Sequence, residues 1–329
     1  MKKLAVLAAV VLGVVVAVTS ASASAPKNNL KNFQHVWVVM MENTSDHSLI
    51  GNVNAPYTNQ LANTVGYAKN YFGVTHPSQP NYVAITSGAT TGFPDDNDHT
   101  ASVTNIVDQL ESHGKTWRDY QQSLNLCATK FDHACGNQLY ERKHNPFVSY
   151  TDVASSPARM ANVVDLDQLH ADLWSGDAPD YNFIAPDQCH DMHGRAATAA
   201  DPCDFSNEQS IIQLGDTFLQ GLIGEITSSP AWEGNSAIFV VWDESDFTGS
   251  STDFGFGDTS GCCDANPGGG HVLGLVLSHS DHTARTSDVA YNHYSTLKTI
   301  QDGWNLGCLG FTCDTANVTP MSDLVGPKG

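Results

Sequence analysis

Two apolar runs of this chain stop abruptly at oxygen-bearing residues. His35 to Met41 ends directly in Glu42-Asn43, and Ser236 to Trp242 ends directly in Asp243-Glu244. Taken singly, an acidic residue at the start of a loop is ordinary surface, and Asn43-Thr44-Ser45 also reads as a glycosylation sequon. The same arrangement after two equally apolar runs points instead to a shared site. Carboxylates with an amide carbonyl suit one divalent cation, Ca²⁺, Mg²⁺ or Mn²⁺, and Zn²⁺ also accepts carboxylates.

A second feature is Thr75-His76-Pro77-Ser78-Gln79-Pro80-Asn81-Tyr82. Pro80 fits the first turn of a helix, where its missing N–H costs nothing. Ser78 then lies just ahead of a helix N-terminus, where free N–H groups and the dipole favour an anion. The hydroxyl is either a cap or a nucleophile beside an anion hole, and spacing leaves both open. Among fourteen histidines most are ordinary surface or packing residues. Three stand better for phosphoryl chemistry, which needs donors and cations: His144 in Arg142-Lys143-His144, the densest basic spot; His193 in Asp191-Met192-His193; and His271 after three glycines. His293 reads as structural, and His279 and His282 carry no assignment.

The elements that must position these groups alternate. Buried strands are expected at His35 to Met41, Tyr181 to Ala185, Ser236 to Trp242 and Val272 to Leu277, short apolar runs without strict alternation. Helices are expected at Pro56 to Val65, Pro80 to Ser87, Val103 to His113, Glu208 to Thr227 and Tyr294 to Asn305. This order predicts an α/β fold, a mainly parallel central sheet flanked by helices on both faces. Ligands of such sheets bind beyond the carboxyl ends of the strands, where Glu42-Asn43 and Asp243-Glu244 fall. Asp119 to Thr151 and Asp246 to Gly270 read as irregular loops. With no repeat and no linker, residues 24–329 are expected to form a single domain.

Composition bounds the function. Fifteen basic against 35 acidic residues give a formal charge of −20, and hydrophobic residues make up 41%. That composition is globular, and its charge argues against nucleic acid or a polybasic membrane anchor as partner. Residues 1–23 read as a secretory signal: Lys2 and Lys3, the apolar run Leu4 to Val18, then Ala21-Ser22-Ala23. A retained membrane anchor is the alternative, although the run falls short of the roughly 20 residues a span needs. Cleavage would take the charge from −20 to −22. The expected location is secreted, extracellular or periplasmic. There the eight cysteines, in close pairs Cys127 with Cys135, Cys189 with Cys203, Cys262 with Cys263 and Cys308 with Cys313, can serve as loop staples, though connectivity is open. A zinc site is the weaker reading, since no CxxC repeat occurs.

Met40-Met41-Glu42-Asn43, Thr75 to Tyr82, Arg142-Lys143-His144, Asp191-Met192-His193 and Trp242-Asp243-Glu244 together resemble the secreted bacterial and fungal phosphoesterase family. That family holds acid phosphatases and non-haemolytic phospholipases C and belongs to the alkaline-phosphatase-like superfamily. The resemblance runs from about His35 to about Leu306. It implies an alkaline-phosphatase-like fold, Ser78 as nucleophile, and one divalent metal held by Glu42, Asn43, Ser78, Asp243 and Glu244. It also implies His144 and His193 as phosphate contacts or proton donors; we add Lys143 and Asn81 as expected phosphate contacts. The chain looks closer to the acid phosphatases, some of which act on phosphoinositides, because the Arg-Ser-Phe-Asp-His run of the phospholipases reads Thr44-Ser45-Asp46-His47 here. His190, where relatives often carry Asn, leaves open which histidine faces phosphate.

The expected reaction is hydrolysis of a phosphate monoester through a phosphoseryl intermediate, with a small phosphorylated molecule or a phospholipid headgroup as partner. Two rivals remain: a phospholipase C-type phosphodiesterase with the same nucleophile, and a non-catalytic acidic Ca²⁺-binding surface protein. The second rival fits less well, because calcium loops place their carboxylates at close local spacing.

Overall fold

The structure, a computed structural model, describes residues 32–246, 258–263 and 267–325. The expected signal 1–23, and positions 247–257 and 264–266 of the expected loop Asp246 to Gly270, lie outside the described residues.

Among the described residues eight strands form one sheet: β1 (Val36–Met41), β2 (Gly66–Phe72), β3 (Trp117–Gln121), β6 (Val163–Asp165), β7 (Tyr181–Ala185), β8 (Ala237–Trp242), β9 (His271–Ser278) and β10 (Arg285–Asn292). The remaining two, β4 (Ala134–Cys135) and β5 (Tyr140–Glu141), pair as a small separate hairpin. The main sheet runs in the order β10-β2-β9-β8-β1-β7-β3-β6. β9 is antiparallel to both β2 and β8, and every other neighbouring pair is parallel. The expected mainly parallel α/β sheet is therefore present, with one reversed strand that its residues do not announce.

All four strands read from apolar runs are found, and β1 and β8 bury every residue. At roughly 1.5–3 kcal/mol per large apolar side chain buried, this pair anchors the centre of the sheet. Their register sets Met41 opposite Trp242, so Glu42 and Asp243 leave the sheet side by side. β3 falls partly within the stretch read as irregular. Its sequence Trp-Arg-Asp-Tyr-Gln hides a strand because its polar residues are paired inside: Gln121 Nε2 donates to Asp119 Oδ1 at 2.8 Å, and Arg118 Nη1 to Asp172 Oδ2 at 2.7 Å. β2 largely alternates between buried and open positions, and β10, at the edge of the sheet, buries Ser287, Tyr291 and Asn292 among mostly open residues, so neither shows an apolar run.

The longest helix among the described residues, Glu208–Ser228, buries Ile211, Ile212, Leu219, Leu222, Ile223 and Ile226 at helical spacing. It packs on helix Pro56–Thr64, whose free N-terminal amides Tyr57 N (3.0 Å) and Thr58 N (2.7 Å) donate to Asp216 on the long helix. Three of the four close cysteine pairs are disulfides: Cys127–Cys135, Cys189–Cys203 and Cys308–Cys313. The fourth, Cys262 and Cys263, has its Sγ atoms 2.7 Å apart without an S–S bond between them. No helix among the described residues is long and apolar enough to cross a membrane.

Candidate active site

The carboxyl ends of β1, β2, β7 and β8 meet at one edge, and each delivers part of a single buried constellation. β1 runs into Glu42 and Asn43, with Glu42 fully buried and Asn43 in a left-handed turn at φ 44°, a conformation Asn tolerates. β8 runs into Asp243 and Glu244, both buried. The two ends are tied: Asn43 N donates to Asp243 Oδ1 at 2.9 Å, and Asn43 Nδ2 to Glu42 Oε2 at 2.7 Å.

β2 leads through Gly73 to helix Ser78–Ser87. The helix begins at Ser78 itself, with Pro77 as its cap, so Pro80 is its third residue rather than its first. Ser78 is buried, and its Oγ lies 3.1 Å from Glu42 Oε2 and 3.0 Å from Glu244 Oε1. Lys143 Nζ donates to the same Oγ at 3.3 Å and to Asp96 Oδ2 at 3.1 Å. Asp96 in turn accepts from the Gln79 amide at 2.8 Å, joining the helix start to the lysine.

The histidines separate clearly. His144 is buried, its ring stacked on Tyr82 at 5.0 Å, with Nε2 3.2 Å from Glu42 Oε1 and Nδ1 3.9 Å from Asp191 Oδ2. His193 and Lys143 together line a cleft of about 280 Å³. His193 Nδ1 is 2.5 Å from Gln188 Oε1; an amide oxygen only accepts, so Nδ1 carries the proton. His190 turns elsewhere, stacking on Phe218 and bonding Asp187 and Gln122, so His193 is the histidine of this loop that faces the cleft. His271 N bonds Asp258, and its Nε2 lies 2.7 Å from Lys69 O on β2. His293 is structural as read: Nε2 lies 2.7 Å from the Asp243 carbonyl and Nδ1 3.1 Å from Tyr71 OH, bracing the turn that carries Asp243.

One expectation is corrected. Asn81, read as a phosphate contact, is fully buried and its amide is wholly committed to the preceding turn. Oδ1 accepts from Val74 N (2.9 Å) and Thr75 N (3.0 Å), while Nδ2 donates to Thr75 O (2.7 Å) and Pro77 O (3.2 Å). The residues missed by the sequence reading are Asp96, Asp191 and His76, which pairs with Glu244 Oε2 and bonds the Asp258 carbonyl. Asp191 and His76 stood inside quoted motifs without a role, and Asp96 carried no signal.

The electrostatics follow from burial and crowding. Burial alone would raise Glu42, but His144 and Lys143 outweigh it and hold its carboxyl well below the usual carboxylate range. Burial, then repulsion from Glu42, pushes Asp243 well above that range, and burial raises Glu244 against the pull of His76. Burial also works against the charge on Lys143, but Glu42, Asp96, Glu244 and Asp243 hold it above its ordinary value. His193 is pulled down to about 4 by burial and by Lys143, so its imidazole is neutral at pH 7.

These residues fit a hard divalent cation. Asn43 Oδ1 and Asp243 Oδ2 are buried oxygens without a hydrogen-bond partner, and the set Glu42, Asn43, Ser78, Asp243 and Glu244 is all oxygen. Another trio of metal-ligating residue types, Cys127, Asp132 and Cys135, also comes together, but its two sulfurs are joined in a disulfide.

Comparison with known proteins bears on the family and the fold. The chain is 27% identical over 299 residues to a phosphatidylinositol-3-phosphatase of Mycobacterium tuberculosis, covering 90% of this chain and 84% of that protein. It is 24% identical to a probable acid phosphatase of Kluyveromyces lactis, covering 87% of this chain and 62% of the other. It is 26% identical to a phosphate-repressible acid phosphatase of Penicillium chrysogenum, covering 90% and 65%. The chain thus spans under two thirds of the length of these two fungal relatives. Among solved structures it matches an alkaline phosphatase superfamily protein of Vibrio parahaemolyticus (TM-score 0.53, 13% identity, 85% of this chain and 68% of that one). A lipoteichoic acid synthase of Listeria monocytogenes matches with TM-score 0.55 at 10% identity, covering 92% and 76%. The chain shares its fold with these two proteins. Residues 52–307 match the model of the Phosphoesterase family, and on that match the chain belongs to it.

Proposed function

We propose that this chain is an exported phosphatase that hydrolyses phosphate monoesters with Ser78 as nucleophile. The observation that carries the reading is the Ser78 hydroxyl at the start of a helix, held between Glu42 and Glu244 with Lys143 donating to it. The relatives named acid phosphatase and phosphatidylinositol-3-phosphatase support the monoester class. The three disulfides support an exported protein.

The chain's own residues divide the work. Glu244, 3.0 Å from the Ser78 hydroxyl and raised by burial, is the acceptor for the Ser78 proton; ionised Glu42 orients the hydroxyl, and Lys143 stabilises the oxygen that proton leaves. Ser78 attacks the phosphorus in line with the leaving alkoxide. His144, flanked by Glu42 and Asp191, donates a proton to that alkoxide. His193 is neutral and carries its proton on Nδ1 towards Gln188, so Nε2 is the base for the water that hydrolyses the phosphoserine. A divalent cation held by Glu42, Asn43, Ser78, Asp243 and Glu244 would supply positive charge against the phosphate dianion and lower the hydroxyl pKa.

Ser78→Ala is expected to lower kcat on p-nitrophenyl phosphate by roughly a thousandfold or more, with the circular dichroism spectrum unchanged. The wild type should prefer this monoester to bis(p-nitrophenyl) phosphate. Substantial turnover by folded Ser78→Ala removes the nucleophile assignment. A preference for the diester, or for phosphatidylcholine, selects the phospholipase C reading. Metal binding without phosphate release from any ester selects the non-catalytic one.

A further inference from the structure

The cleft above Lys143 and His193 extends along the loop that follows β7, and Arg195 lines it. Its side chain is 13% exposed, and Nη2 donates to Asp201 Oδ2 at 2.7 Å. Its Nε and Nη1 are buried and make no hydrogen bond. An unmatched buried donor loses hydration without return, and a guanidinium with donors to spare matches the oxygens of a phosphate or carboxylate.

The loop holds this side chain at a fixed place. Arg195 N donates to Cys203 O at 2.9 Å, and Phe205 N to Arg195 O at 3.1 Å. The Cys189–Cys203 disulfide closes the same loop. Gly194, at φ +80°, brings the chain so close to the facing segment of the loop that a Cβ would lie 2.9 Å from Cys203 O. The other strong cation of the cleft, Lys143, is committed to Ser78 and Asp96. Lys143 thus spends two of its three donors, whereas Arg195 spends one of its five, and the attack on a simple monoester does not use the rest.

We propose that Arg195 forms a second anion subsite, so that the preferred substrates are phosphate monoesters bearing another anionic group, a phosphate or a carboxylate, away from the scissile one. This rests on the reading of the neighbouring site as a phosphatase. The second anion can come from a soluble bisphosphate or from the diester phosphate of a phosphoinositide headgroup, and the shared chemistry is what Arg195 reads.

The test compares kcat/KM for alkanediol bisphosphates of graded length with that for the matching monophosphates. A second arm compares short-chain phosphatidylinositol 3-phosphate with inositol 3-phosphate. The wild type should favour the doubly anionic member by about tenfold in at least one arm, and Arg195→Gln should bring that ratio close to one. A fall in the first arm alone assigns the subsite to soluble bisphosphates, and a fall in the second alone to the lipid headgroup. Arg195→Lys, which keeps the charge and loses the planar fork, should give an intermediate ratio and serves if Arg195→Gln does not fold. A ratio that neither variant changes in either arm overturns the subsite while leaving the phosphatase reading intact. Absence of phosphate release from every substrate by the wild type overturns that reading, and the subsite with it.

Discussion

Asn81 makes four hydrogen bonds to the backbone between Val74 and Pro77, and so fixes where Ser78 emerges. Removing its amide strands two N–H groups and two carbonyls in a buried turn, at about 1–3 kcal/mol for a group left unsatisfied. Asn81→Ala is therefore expected to lower unfolding stability by about 2 kcal/mol or more and to reduce kcat, as measured by urea denaturation and steady-state kinetics. A phosphate contact would behave differently: KM would rise while stability held. That second outcome would make Asn81 a phosphate contact. The case also shows what a motif conveys. Thr75 to Tyr82 reads as one block, but only the fold separates the reacting Ser78 from the bracing Asn81 and from His76, which holds Glu244. Asp96 was illegible for a related reason. It reaches Gln79 and Lys143 across long sequence separations, and nothing in its local sequence records them.

The strands must arrive in register for those residues to meet, and the far edge of the sheet helps to set it. Asp180, just before β7, accepts from Lys115 Nζ (2.7 Å), Thr116 N (2.8 Å) and Thr116 Oγ1 (2.9 Å), while its carbonyl accepts from Val36 N on β1 (2.8 Å). Burial would raise this carboxyl, but Lys115 and the Thr116 donors outweigh it and hold it below the ordinary value. A depressed folded-state pKa stabilises above the unfolded value of about 3.9 and is lost as pH falls through the folded one. Asp180→Asn is thus expected to cost about 1 kcal/mol near pH 7, a modest figure because the pair is partly exposed. The gap from wild type should close below about pH 4. Urea midpoints at several pH values measure it, and a gap that widens on acidification would contradict the assignment. Elements with continuous apolar runs were legible in the sequence because burial on both faces leaves that signature. β2, β3 and β10 were not, since their polar residues are satisfied by partners in space. The direction of β9 and the close pass of Gly73, where a Cβ would sit 2.6 Å from Asp243 O, are properties of packing that no local pattern encodes.

At the scale of the whole molecule, the formal charge of −20 opposes the approach of the substrate class its site fits. The two facts are reconciled by where the charge sits. Glu42, Asp243 and Glu244 are buried and face Lys143, His144 and His76, so they add little to the outer field, whereas most other acids among the described residues are at least partly exposed. A phosphate dianion meets repulsion at long range and cationic donors at short range. Salt distinguishes the two, because the Debye length falls to about 10 Å at 0.1 M. Long-range repulsion is then screened, while contacts inside a narrow cleft are screened much less. Raising sodium chloride from about 0.01 M to about 0.15 M should therefore increase kcat/KM for p-nitrophenyl phosphate roughly twofold or more, with kcat little changed. The rise should be steeper for a doubly anionic substrate, on which the outer field acts more strongly. A marked fall in kcat/KM would mean that the potential of Lys143 and Arg195 reaches beyond the cleft and draws substrate in. The acidic shell would then be irrelevant to encounter.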